Sequence, residues 1–273
     1  MHDSETGSMA GFLPLASLVG FLRQSLALAE MELRKLIHDP TELLTRIIQP
    51  VLWLGVFGEV FTRVRAIPTG QLPYLDFMAP GVLAQSVLFI AIFYGIAAIW
   101  ERDLGIVHKL LVTPAPRVAL VLGKALSAGV RALPQAGMVY VLAWVLGVRI
   151  NWDLVALAGV GLLALLGAAA FSTLSLIAAC IVKTRERFMG IGQALTMPLF
   201  FASNAVYPVS IMPGWLKALA RINPLTYEVD GMRALMVRGG SSLYGIGLDI
   251  IVLVITSIIL TYLASRLYPH LAH

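Results

Sequence analysis

FFASNAVYPVSIMPGWLKALARINPLTYEVDGMRALMVR, residues 200–238, begins as the end of an apolar helix and then breaks. Pro208 and Pro213 stop helical continuation, because proline lacks the amide hydrogen and its ring crowds the preceding turn. From Gly214 a short amphipathic helix is predicted, with Trp215, Leu219 and Ile222 on one face and Lys217 and Arg221 on another. Asn223-Pro224 interrupts the chain again, and a second short helix carries Tyr227, Asp230 and Arg233. Two half-polar helices after an apolar span predict a helical hairpin at a membrane surface, where Trp and Tyr anchor well. Asp230 and Arg233 stand at i, i+3 and can pair on one face. As an exposed pair they would contribute about 0–1 kcal/mol and mainly hold the hairpin at the lipid boundary.

The bulk composition requires a membrane. The 273 residues are 59% hydrophobic and 13% charged, with mean hydropathy +0.85. A soluble chain of this size has too little interior to hide so much apolar surface. The net charge of +5 fits the positive-inside bias and anionic lipid better than a nucleic-acid partner. One cysteine, Cys180, lies in an apolar run, which rules out a disulfide framework and suits a small buried hydrophobe. Asp3 and Glu5 stand where a secretory signal would be basic, so insertion through an internal span is expected.

Taken in order, residues 1–40 form a tail and an amphipathic helix over 18–38, too charged to cross a bilayer and suited to its cytoplasmic interface. Residues 41–268 then hold six apolar segments, near 43–61, 77–100, 126–148, 154–182, 188–207 and 248–267. Each is close to the ~20 residues that a hydrocarbon core of ~30 Å needs. The fifth is expected to break at Met197-Pro198. Six spans put both termini on one side, and the distribution of Lys and Arg places that side in the cytoplasm. The fold class is therefore an all-α polytopic membrane protein with an N-terminal interfacial helix and a helical hairpin, residues 208–240, on the outer face before the last span.

Chemistry-bearing motifs are missing. Gly123-Lys124-Ala125 is the nearest fragment to a phosphate loop and lacks its first glycine and its hydroxyl residue. The histidines are scattered, so no metal site is expected. Acidic residues are nearly absent from the spans, with Glu59 at a span end, which weakens a proton-coupled carrier. Uphill transport would then draw its energy from another polypeptide. An ATP-independent channel and a membrane-embedded enzyme are the alternatives from other classes. They would need a polar pore lining or clustered His, Asp and Glu.

Residues 100–124, WERDLGIVHKLLVTPAPRVALVLGK, interrupt the spans. Glu101, Arg102 and Asp103 start a short helix with Leu104, Val107 and Leu111 on one side and Lys109 on another, and Thr113-Pro114 stops it. An apolar face on such a helix suits a groove on a partner. Gln49, Trp53, Gln85, Ser203 and Asn204 are candidates for lining a path, weighed against ordinary packing.

Both stretches resemble the permeases of type-2 ABC exporters. The hairpin carries Tyr207-Pro208, Pro213-Gly214-Trp215-Leu216, Asn223-Pro224-Leu225-Thr226-Tyr227, Asp230 and Arg233-Ala234-Leu235. The loop carries Glu101-Arg102, Gly105, Leu110-Leu111, Thr113-Pro114 and Gly123-Lys124, and departs from the pattern at Val107-His108-Lys109. The resemblance implies that Glu101, Arg102, Gly105, Lys109, Leu110, Leu111 and Pro114 couple to a separate ATPase. It marks Pro208, Pro213, Trp215, Asn223, Pro224, Tyr227, Asp230 and Arg233 as an outer-face signature. It further implies two ATPase copies, a second permease chain, ATP and Mg bound by the partner rather than by this chain, and a bacterial cytoplasmic membrane. The substrate is expected to be an amphiphilic drug, with a polysaccharide or lipid-linked glycan as the alternative.

Overall fold

A computed structural model describes residues 47–65, 67–107, 117–182 and 184–269. The interfacial helix expected over 18–38, and Lys109, Leu110, Leu111 and Pro114, lie outside the described residues.

The described chain is helical. α1 spans Ile47–Val64, with a π-helical stretch over Leu52–Gly58. α2 is Tyr74–Phe93 and α3 Gly95–Asp103, together one apolar run. α4 is Arg117–Val145, α5 Leu154–Ile181 and α6 Arg185–Phe201. α7, Gly214–Ile222, and α8, Pro224–Met236, form the hairpin, and α9 is Ile246–Leu267. Four of these runs are long and apolar enough to cross a membrane: Ile47–Val64, Tyr74–Asp103, Leu154–Ile181 and Ile246–Leu267.

The other two expected spans differ for identifiable reasons. α4 begins nine residues before the expected start and therefore takes in Arg117 and Lys124 besides Arg131. α6 has 17 residues and ends at Phe201, six short of the expected end. The chain after it turns through Ala202–Tyr207, with the Asn223 amide donating to Leu199 O (2.7 Å) and Ala202 O (3.0 Å). Pro198 does not break α6; it lies in the last turn, where its missing N–H costs a single helical hydrogen bond.

Local chemistry sets the helix starts. Asp153 caps α5 by accepting from Ala156 N at 3.1 Å, and Thr184 caps α6. Asn223 caps α8 by accepting from Leu225 N at 3.0 Å, with Pro224 at the first helical position.

α2 is buried along nearly all its length, with α4, α5, α6, α8 and α1 around it. Residues of α2, α4, α5 and α8 build the larger apolar core, and Ile99, Val107, Val121, Leu176, Phe188 and Tyr268 build a smaller one at the opposite end. Gly81 lets α2 approach the turn after α6, since a Cβ there would lie 2.7 Å from Ala205 Cα. Successive long helices alternate in direction. One end of the bundle therefore carries the α7–α8 hairpin and the other the turn at Leu104–Gly105 and the first turn of α4.

Candidate functional site: the two ends of the bundle

At the loop end, α3 runs out into a turn. Leu104 N donates to Trp100 O (3.0 Å) and Gly105 N to Arg102 O (2.8 Å). Gly105 has φ +70°, a left-handed conformation that a residue with a Cβ adopts only with strain, so this glycine ends the helix and aims the following chain. Glu101 pairs with Lys124 of α4. Arg102 lies 2.9 Å from Asp103, and Asp103 accepts from Arg185 of α6 at 2.8 Å. The Arg185 guanidinium also stacks over the Trp100 ring at 3.7 Å. α3, α4 and α6 are thus tied together by charge where the loop departs.

Above this network lies an open groove of about 670 Å³, lined mainly by Phe89, Phe93, Tyr94, Ala97 and Trp100, with Glu101 and Arg131 at its polar edge. Phe89 and Phe93 stack at 5.9 Å, and Arg131 lies 5.3 Å from the Tyr94 ring centroid. The arginine's alkyl stem and cation–π contact make its place in α4 tolerable.

At the hairpin end the arrangement is buried. Asp230 and Arg233 are 2% and 5% exposed, not a surface pair at the lipid boundary. Their side chains lie 3.8 Å apart. Arg233 donates to Phe77 O (3.2 Å) and Asn204 O (2.7 Å) and sits 3.9 Å over the Phe77 ring. Asp230 accepts from Asn204 Nδ2 (3.2 Å), Ser242 Oγ (2.9 Å), Leu243 N (2.6 Å) and Tyr244 N (3.1 Å). The pair therefore joins α8 to α2, to the turn after α6 and to the strap before α9. Nearby, Asp76 pairs with Arg149 at 2.6 Å, and Ile150 bridges Val237 in antiparallel fashion. Tyr227 Oη donates to Arg221 O at 2.6 Å, closing α8 onto α7. Burial pushes the Tyr207 phenol up, which keeps it a donor, and it donates to Phe201 O. Trp215 and Ile222, by contrast, stay exposed on α7 as expected.

With this geometry in place, comparison with known proteins is decisive: residues 23–237 match the ABC-2 type transporter family. The chain belongs to that family. Similar proteins include the ycf38 protein of Cyanophora paradoxa, 27% identical over 217 residues, which cover 79% of this chain and 74% of the other. The daunorubicin resistance ABC transporter permease DrrB1 of Streptomyces coeruleorubidus is 25% identical over 231 residues, 85% of this chain and 81% of the other. Nodulation protein J of Rhizobium meliloti is 29% identical over 200 residues, 71% of this chain and 73% of the other. This chain is accordingly a multi-pass ABC transporter permease, a family whose members work with an ABC ATPase subunit and are not themselves the ATPase.

Of the candidate path residues in this ABC-2 permease, Gln85, Ser203 and Asn204 are buried within the described chain. Asn204 is a strut between Asp230 and Arg233, and Ser203 satisfies the end of α6 by donating to Phe200 O (2.7 Å). Trp53 packs against Phe57, Phe200 and Phe201, and Gln49 is half-buried on α1.

The near absence of intramembrane acids also needs correction. Glu228 and Asp249 are both fully buried. Glu228 packs against Gly167, the midpoint of the 28-residue α5, because the hairpin folds back into the bundle instead of lying flat. The one local signal for it was the run of small residues Gly167–Ala170, which permits close helix approach. Nothing local marks the partnership of Glu101 with Lys124, 23 residues away.

Proposed function

We propose that this permease is the membrane half of an ATP-driven exporter, and that it moves an amphiphilic, drug-like molecule out of the cytoplasm or the inner leaflet. The observation that carries the substrate class is the groove at the loop end. It is large enough for a drug-sized body and mostly apolar, with the aromatic rings of Phe89, Phe93, Tyr94 and Trp100 in its wall and Glu101 and Arg131 at its edge. The name of DrrB1, a daunorubicin resistance protein, agrees with a flat aromatic substrate.

In this reading the hairpin end faces outward and six helices cross a bacterial cytoplasmic membrane, with both termini inside. Two permease chains assemble with two ATPase chains, which bind ATP and Mg. Closure of the ATPase pair pushes on the segment that starts at Glu101, Arg102 and Gly105 and continues through Lys109, Leu110, Leu111 and Pro114. The ion pairs from α3 to α4 and α6 pass that movement to the groove, which then opens outward. Near-complete switching between two such states requires a bias of about 5.5 kcal/mol, which ATP binding and hydrolysis can supply.

The test is purification of the tagged permease from its native membrane, with scoring of a co-purifying P-loop ATPase and of anthracycline-stimulated ATP hydrolysis. The expected result is a bound ATPase, with Glu101→Ala abolishing stimulation while the complex stays assembled. Stimulation by a lipid-linked glycan but not by anthracyclines would replace the substrate. A chain that purifies alone and moves solute without ATP would overturn the exporter reading.

A further inference from the structure

The hairpin end holds one more feature that structural packing does not account for. Glu228 is fully buried, and neither carboxyl oxygen has a hydrogen-bond partner. Its carboxyl occupies the space that Gly167 leaves open; a Cβ at that position would overlap all three carboxyl atoms. One helical turn along the same face, Gly231 packs against Leu163 of α5 and against Asp249 of α9. Asp249 is also fully buried, and its Oδ1 has no partner.

Proton counting around Ser242 is informative. Its Oγ lies 2.9 Å from Asp230 Oδ2 and 2.8 Å from Asp249 Oδ2, and it accepts from Gly245 N at 2.6 Å. A serine hydroxyl has one proton to donate, so two short contacts to carboxylates need a second proton. Asp230 already accepts two backbone N–H groups and stands beside the Arg233 guanidinium, whereas Asp249 Oδ1 faces no donor. The second proton therefore belongs to Asp249, which donates to Ser242, which donates to Asp230.

We propose that Asp249 and Glu228 form a proton-binding site inside the bundle, filled from the hairpin end past Ser242, and that α8 seats on α5 only when both carboxyls hold a proton. The surrounding charges are consistent with this. α5 carries no Asp, Glu, Lys, Arg or His from 154 to 181. α9 supplies Asp249 itself at one end and Arg266 at the other. The acid on α2 is Asp76, already paired with Arg149. Lys217 and Arg221 of α7 are not buried, and Asp230 and Arg233 of α8 are paired with each other. An ionised carboxylate at the middle of α5 would have neither water nor a hydrogen-bond donor. A metal ion is the wrong ligand, since among the described residues no three His, Cys, Asp or Glu side chains are grouped to hold one. Strap residues Leu243 and Gly245 are exposed, which gives protons a short way in. The site is independent of which substrate the permease carries.

Infrared spectroscopy of the full-length permease in lipid nanodiscs tests this directly. At pH 7 the wild type should show the carbonyl stretch of a protonated carboxylic acid, part of which disappears in Glu228→Gln and part in Asp249→Asn. The stability readout has a defined sign. Over a range above the ordinary carboxyl pKa the folded chain holds protons that the unfolded chain has released, so stability falls as pH rises. The wild-type melting temperature should fall as pH rises above the ordinary carboxyl range of about 4, and Glu228→Gln, a neutral isostere, should flatten that slope. Absence of the carbonyl band in the wild type, or parallel slopes in wild type and variants, overturns the site. If Glu228→Gln does not assemble, the wild-type and Asp249→Asn spectra decide: a wild-type band diminished in Asp249→Asn supports the site, and an undiminished one overturns it.

Discussion

The two ends of this permease use charge in opposite ways. At the hairpin end Asp230 and Arg233 are enclosed, and every side-chain hydrogen bond they make crosses to another element. At the loop end the Asp103 and Arg185 side chains are 37% and 36% exposed, so water competes for each of them. A buried, fully bonded pair specifies one arrangement of the helices around it, because leaving either partner alone in the interior is costly. Exposed pairs can part and re-form at little cost, which suits a place where movement enters the molecule. The hairpin end is built to hold and the loop end to yield.

The largest expected effect breaks the first half of that contrast. Asp230→Ala strands Arg233 in the core and removes the acceptor of two backbone N–H groups. It should destabilise the chain by about 3–5 kcal/mol, read as loss of folded protein in detergent thermal melts. If the loss is under about 1 kcal/mol, the pair is more hydrated than its burial indicates. Gly81→Ala probes the same end without touching charge. The added Cβ meets Ala205 backbone, which cannot swing aside as a side chain would, and a cost of about 1–3 kcal/mol is expected in the same assay. The smallest effect belongs to the loop end. Glu101→Gln should cost about 1 kcal/mol, because the glutamine carbonyl can still accept from Lys124 and only the charge of the pair is lost. It should nonetheless lower substrate-stimulated hydrolysis in the assembled complex. Equal destabilisation at both ends would erase the distinction.

Much of the architecture was legible beforehand because its cues are local. Pro213, Asn223 and Pro224 mark the hairpin's boundaries through dihedral limits and a side-chain cap, and these act within a few residues. Asp153 and the apolar run after it placed α5 almost to the residue. α4 extends further towards its N-terminus than its apolar run indicates, because Lys124 is accommodated by Glu101 on another helix. The hairpin helices start where Pro213 and Pro224 predict, but the charged residues of α8 are buried among other helices. α8 alternates polar and apolar residues as a surface helix does, and only the groove between α2, α5 and α9 turns its polar side inward.

By itself, then, the sequence determined that this chain crosses a membrane, where most helices start and stop, and which family it resembles. Composition, periodicity and chain punctuation are properties of neighbours along the backbone, and the loop and hairpin motifs are contiguous. Tertiary structure alone decided that Asp230, Arg233, Glu228 and Asp249 are buried, that Asn204 is a strut between Asp230 and Arg233, and which charges meet at the loop end. The physical reason is that desolvation of a charge depends on what the rest of the chain packs around it, and Gly167 lies 61 residues before Glu228 in this sequence.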